Sequence, residues 1–408
     1  MLRPNRRTAL RVMGGTFASS LLMPAQVQTP KPFRVAVPQK EIDRIVRRVR
    51  EARWPEPIGG MTGWQYGVNY GYLKDLAAYW TTRFDWRAQE KKLNQYPQFM
   101  ARVDDFDVHF YHVRGRGPKP MPLVITHGWP GSVVEFLDAI GPLTDPAAYG
   151  GSAEDAFDVV IPSLPGFGYT SKPKGKPIGP TTTPKLWHKL MTQVLGYSRF
   201  GAQGGDWGFA VTTQLAAQFP QALMGIHLNS SATGTIPESE RTAEESAWYR
   251  ARAIYMQNEV DYLNEQQHKP QTVAFALNDN PLGAAAWIIE KLKGWSDSSD
   301  NLDETLSKDK VLANVMWYLV TDTAGSSVWY YRGNVEDSLG PRPRNNVPTG
   351  FAAFPKEMTF LAQPHSLLAR DYNLIHYTKM PRGGHFACFE QPQLYVDDVR
   401  SFFRKVRG

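Results

Sequence analysis

The sequence predicts the α/β class: a mostly parallel sheet with helices on both faces, an inserted helical cap and an N-terminal helical extension. Three observations point there. After about Val103, short apolar strand-like runs alternate with helical runs. Between about Pro237 and Pro348 that rhythm gives way to helical stretches such as TVAFALN and GAAAWIIEKLKGW, over a span longer than an ordinary connection. Before Val103, KEIDRIVRRVREARW and GYLKDLAAYWTTRFDW have helical periodicity, and breaks such as WPEPIGGMTG separate them.

In chain order, residues 1 to 30 read as an export signal: basic MLRPNRRTALR, then VMGGTFASSLLMPA, then polar QVQTP. The apolar stretch is too short and too rich in Gly and Ser to be a stable membrane span. Arg6 and Arg7 are adjacent and precede it, as in a twin-arginine signal for proteins exported folded. The expected location is therefore periplasmic or extracellular, with the mature chain starting between about Ala25 and Phe33. An uncleaved leader on a cytoplasmic protein is the alternative.

Residues 33 to 102 form the extension, whose Trp54, Trp64, Tyr66, Tyr70, Tyr72, Tyr79 and Trp80 are expected to pack against the main domain. Residues 103 to 236 carry the first part of the core. Its strands are DFDVHFYHV, PLVIT, FDVVIP and the run ahead of GGDWG, with MGIHLNS following the helix FAVTTQLAAQF. Residues 237 to 347 are the cap. Residues 348 to 408 complete the core with PTGFAAF, NLIHYTK and a closing helix near LYVDDVRSFFRKV.

Composition narrows the function. The chain has 408 residues, enough for a large core, and its 12 Trp, 18 Tyr and 20 Phe favour aromatic-lined pockets as well as packing. The net charge is +7, but Arg3, Arg6, Arg7 and Arg11 of the leader account for four of it, which leaves no electrostatic case for nucleic acid. Arg44, Arg47, Arg48 and Arg50 interleave with Glu41, Asp43 and Glu51 as a solvated helix face. A single cysteine, Cys388, excludes an intrachain disulfide and a thiolate metal cluster. It reads as a small packed hydrophobe.

The strongest local motif is Gly204-Gly205-Asp206-Trp207-Gly208, after a strand and opening a helix. Glycines flanking a central residue fit a nucleophile elbow, where bulky neighbours would clash. With Asp at the centre, the nucleophile is a carboxylate that attacks a saturated carbon to give an alkyl-enzyme ester, which suits epoxides or alkyl halides. A Gly-rich turn with an Asp helix cap is the plainer reading. In PLVITHGWPGS, the loop with His127, Gly128, Trp129, Pro130 and Gly131 is placed to supply one oxyanion-hole N–H, from Trp129. The other would come from the backbone of Trp207. His127 is expected to order this loop. Arg382-Gly383-Gly384-His385-Phe386 follows the last strand, which places His385 above the sheet as the base. Glu357, after PTGFAAF at the active edge, is preferred over Asp371 as the acid that orients it.

These blocks together resemble the microsomal-type epoxide hydrolases, including juvenile-hormone epoxide hydrolases. The likeness runs from about Phe33 to the C-terminus through RWPE, HGWPGS, PSLPGFGYTSKP, GGDWG, ALNDNPLG, PTGFAAFPKE and RGGHFACFEQP. It implies the α/β-hydrolase fold, no metal or organic cofactor, and a small apolar epoxide plus water as the reactants. It also nominates Glu357 as the acid and Tyr262 and Tyr331 of the cap as phenolic donors to the opening ring oxygen. Tyr330, next to Tyr331, leaves a one-residue alternative. A haloalkane dehalogenase would share Asp206 and Trp207 but need halide-binding N–H donors where the phenols stand. A non-catalytic binding homologue would keep the fold and pocket without turnover.

Overall fold

The structure, a computed structural model, describes residues 29–59, 63–232, 234–337, 344–358 and 361–407. Arg6, Arg7 and the leader through Gln28 lie outside the described residues. Nine strands form one sheet: β1 (Lys31–Phe33), β2 (Gln98–Val103), β3 (Phe106–Val113), β4 (Met121–Thr126), β5 (Phe157–Pro162), β6 (Phe200–Gly204), β7 (Leu223–Leu228), β8 (Asn345–Ala353) and β9 (Tyr372–Lys379). Their spatial order is β1-β2-β3-β5-β4-β6-β7-β8-β9. The pairs from β5 to β9 are parallel, and β1, β2 and β3 add an antiparallel edge. Apart from Asp158, strand β5 is apolar, and it is buried on both faces, as a parallel strand covered by helices must be.

The order of the central strands makes the site. Strands β4 and β6 are neighbours, and their register ends with Thr126 beside Gly204. The loop His127–Gly131 and the turn Gly205–Trp207 therefore leave the same edge side by side.

Two expectations need correction. The extension is not wholly helical, because β1 and β2 join the main sheet and β2 runs across the expected boundary at 102/103. QFMARV has no continuous apolar run, and its burial is uneven because it lies near the edge of the sheet. The extension's aromatic residues also reach the cap. Tyr72 donates to Asp303 at 3.0 Å, Tyr79 to Asp309 at 2.8 Å, and Trp64 Nε1 to the Asp300 carbonyl at 3.1 Å. The helix Gln39–Arg50 buries Ile42, Ile45 and Val49 on one face and sends Arg48 to Asp279, at 2.7 Å.

The cap has six α-helices among the described residues: Ala243–Asn258, Asp261–His268, Pro270–Asp279, Pro281–Trp295, Lys308–Val320 and Ala324–Glu336. Local sequence starts several of them. Thr242 and Glu245 make a reciprocal capping box, and Asn280 caps the helix that begins at Pro281 by accepting from the Gly283 N–H at 3.0 Å. The chain returns to the sheet at Asn345, three residues before the expected position 348.

Candidate active site

Asp206 sits between β6 and the helix Trp207–Gln218 with φ 48° and ψ −131°, a conformation that costs a non-glycine residue roughly 1–3 kcal/mol. The flanks explain how the turn closes. A Cβ on Gly208 would lie 1.9 Å from the Thr126 carbonyl oxygen, and one on Gly204 would lie 2.1 Å from that of Gly208. The carboxylate is thereby held up beside the β4 loop, where Oδ1 accepts the Trp129 N–H at 2.8 Å. Trp129–Pro130 is a cis peptide. The other expected donor, the Trp207 N–H, opens the helix, where it has no intrahelical acceptor. Of these two backbone donors, the Trp129 N–H is the one bonded to the carboxylate. His127 is buried, bonded to the Gly128 carbonyl and to the Leu164 N–H, and burial pushes it down to about 4. It is a neutral loop anchor.

On the other side of Asp206 stands His385. Its Nε2 is 3.3 Å from Asp206 Oδ2, and its Nδ1 is 2.9 Å from Glu357 Oε1, which also accepts from Ser230 Oγ at 3.2 Å. Burial opposes the imidazolium, but the two carboxylates outweigh it and raise the ring to about 10. Asp371 ends the helix before β9, at the opposite end of the parallel strands. From Gly383 to Phe386, the loop carrying His385 is bonded at each N–H. Gly383 donates to Asp297, Gly384 and Phe386 to Glu390, and His385 to the Trp295 carbonyl. Glu390 accepts the Asp297 N–H as well, so one buried carboxylate ties the base's loop to the end of a cap helix.

Above the carboxylate, Tyr262 and Tyr331 line one apolar pocket of about 280 Å³ together with Asp206, Trp207 and Glu357. The two rings are 5.9 Å apart and nearly perpendicular, and Trp129 stacks on Tyr262 at 5.5 Å and meets Tyr331 edge-on at 5.7 Å. Burial, with Asp206 nearby, raises both phenols well above the ordinary value, so they remain proton donors. Tyr330 turns away to Thr183 Oγ1, at 2.8 Å. Of the two neighbouring tyrosines, Tyr331 is the one that lines the pocket with Asp206.

The description "Epoxide hydrolase N terminus" fits residues 30–136, and "alpha/beta hydrolase fold" fits residues 121–286. The chain is 41% identical over 380 residues to a Stigmatella aurantiaca protein provisionally named an epoxide hydrolase, covering 92% of this chain and 85% of that one. It is 36% identical over 406 residues to epoxide hydrolase 1 of Oryctolagus cuniculus, covering 91% and 88%. The chain belongs to the epoxide hydrolase family. Solved epoxide hydrolase structures agree. The juvenile hormone epoxide hydrolase of Bombyx mori superposes with a TM-score of 0.84 at 27% identity, covering 93% of this chain and 97% of that one. The Aspergillus niger epoxide hydrolase gives the same four values.

Sequence reasoning missed three residues of this epoxide hydrolase site. Tyr255 lines the pocket from the helix Ala243–Asn258, with its hydroxyl buried beside that of Tyr262. Helical spacing from Trp248 could have suggested it. Glu390 lies in the RGGHFACFEQP block, but only the fold shows its bonds. Glu135, buried beside Asp206 and His385, is raised to about 8 chiefly by that burial, and its spacing from Ser132 marks it locally only as the acid of a capping box.

Proposed function

We propose that this epoxide hydrolase family member converts a small apolar epoxide and water to a vicinal diol through an ester on Asp206. Asp206 attacks a ring carbon while Tyr262 and Tyr331 hand a proton to the oxygen that leaves. Water then cleaves the ester with His385 as the base and Glu357 holding its Nδ1–H. One observation carries this reading: a carboxylate bonded to an imidazole that is bonded to a second carboxylate, with two buried phenols in the pocket above. Phenols suit an alkoxide, a poor leaving group that needs a proton, and this favours epoxides over alkyl halides. Trp129 and Trp207 would steady the oxyanion of ester cleavage through their main-chain N–H groups.

The test is a single turnover in ¹⁸O-labelled water with a panel of aromatic and aliphatic epoxides. Label is expected in Asp206 and absent from the first diol released. Label in the diol with none in Asp206 would rule out the ester. Halide release from an alkyl halide, with no diol formed from any epoxide, would favour the dehalogenase reading.

We also infer export of the folded protein, supported by the basic, acid-free leader with Arg6 and Arg7. Changing both to Lys is expected to hold the protein in the cytoplasm with its leader attached. Unchanged export in a fractionation experiment would refute the twin-arginine reading.

A further inference from the structure

Among its described lining residues, the pocket of about 280 Å³ holds the charged side chains of Asp206, Glu357 and Arg252. Asp206 and Glu357 meet at His385 and belong to the reaction. Arg252 has no part in it. It stands on the cap helix Ala243–Asn258, which turns Trp248, Arg252 and Tyr255 to the pocket at the i, i+4, i+7 spacing of a single face. The Tyr255 hydroxyl is buried beside that of Tyr262, and Arg252 lies about one helical turn away from Tyr255 along the helix.

Arg252 is half-buried and has no acceptor oxygen among the described residues. Every other buried or half-buried arginine described has one. Arg44 donates to Glu41, Arg48 to Asp279, Arg241 to the Ile236 carbonyl, Arg332 to Glu336, and Arg400 and Arg407 to backbone carbonyls. The acids at the start of the Arg252 helix are engaged elsewhere, Glu244 with Lys379 at 3.0 Å and Glu245 with the Thr242 N–H at 2.7 Å and Ser366 Oγ at 2.6 Å. Three and four residues to either side of Arg252 stand Trp248, Tyr249, Tyr255 and Met256, none of them an acid. The guanidinium carbon is 6.0 Å from the centre of the Trp248 ring, and Trp248 is itself packed with Ile236 and Leu367. An aromatic face steadies a guanidinium and leaves its N–H edge open. A cation drawn partly out of water with no anion beside it is costly, and a planar fork of N–H groups fits a carboxylate through two parallel bonds.

We propose that Arg252 selects epoxides that carry a carboxylate at the far end of an apolar arm. The inference rests on the epoxide hydrolase reading above and narrows its substrate class. The ring lies between Asp206 and the two phenols, the arm lies against apolar wall residues such as Val260 and Leu263, and the carboxylate accepts from Arg252. No bond forms or breaks at that end of the substrate. The ion pair is therefore the same before and during ring opening, and it acts on KM and leaves kcat alone. Arg252 is a specificity-determining residue and not a catalytic one.

The experiment compares para-oxiranylbenzoate and an ω-epoxyundecanoate, each with its own primary amide, at a pH where the carboxyl is ionised. The quantity read is the ratio of kcat/KM for acid over amide within one preparation, so the amount of folded enzyme cancels. Wild type is expected to favour at least one acid by about tenfold, carried by KM, as a charge-assisted pair exceeds a neutral hydrogen bond. Arg252→Gln should remove that preference. Arg252→Lys, which keeps the charge without the fork, should retain part of it. A wild-type preference under about threefold for both acids, or the wild-type ratio kept in Arg252→Gln, would overturn the proposal. Where Arg252→Gln does not fold, Arg252→Met, which keeps an apolar stem, takes its place and is read in the same way. Failure to hydrolyse either acid, either amide or any unsubstituted epoxide would instead remove the reading on which the proposal rests.

Discussion

Asp206, His385 and Tyr331 each have a separable task in the proposed reaction, and each task predicts a different failure. Asp206→Ala should leave less than about a hundredth of the activity, because general-base help alone is typically worth ~10²–10⁴-fold. His385→Gln should still form the ester and then hold it, detectable as a stable adduct on Asp206. Tyr331→Phe and Tyr262→Phe should each slow alkylation and together nearly stop it, as judged by burst kinetics. Tyr330→Phe should cost about 1 kcal/mol of stability, through its lost bond to Thr183, and leave the chemistry alone. The pH dependence is also specific. His385 is held near 10 by two carboxylates, and esterification removes the charge of one of them. Ester decay needs the neutral ring, so its rate should rise with pH to a plateau set by a pKa below about 10. A decay rate still climbing at that pH would mean that alkylation leaves the base unchanged. Glu357, His385 and Asp206 were legible in the sequence because each follows a strand at the same edge of a parallel sheet. Tyr255, Glu135 and Glu390 were not, since their meaning lies in partners more than a hundred residues away or in backbone N–H groups.

At the level of elements, the loop Gly383–Phe386 is fastened to the cap as much as to the core. Asp297→Ala removes the acceptor of the Gly383 N–H and should loosen the base without touching either phenol. Ester decay should slow by about tenfold while alkylation stays within about twofold, in line with the ~1–3 kcal/mol cost of an unsatisfied buried donor. Equal slowing of both steps, measured by rapid quench, would point to general disruption of the cap. Strands β3 to β9 were readable as apolar runs before turns. Strand β2 was not, because a half-polar strand near an antiparallel edge has neither the continuous apolar pattern of a buried strand nor clean alternation. The cap helices were legible as a group, through lost strand rhythm, but their packing on the extension was not. Tyr72 and Tyr79 look the same in sequence whether they meet the sheet or the cap.

Taken as a whole, the molecule is a sheet that carries the nucleophile, a cap that carries the phenols, and an extension that pairs with the first while bonding to the second. The double change Tyr72→Phe and Tyr79→Phe removes two bonds from extension to cap. It should lower the melting temperature by an amount matching about 1 kcal/mol per bond, with little effect on ester chemistry. An unchanged melting temperature would show that these two bonds add nothing to the burial of Ile42, Ile45 and Trp80, the strand pairing and the remaining contacts that hold the extension. Strand β1 has a consequence for maturation. It is only three residues long, begins at Lys31 and pairs residue by residue with Met100, Phe99 and Gln98. A protease acting on the folded chain cannot cut within those residues without first peeling the strand from its neighbour. On the export proposed above, a cut that frees the leader falls no later than Pro30, and sequencing the amino terminus of exported protein should return a start no later than Lys31.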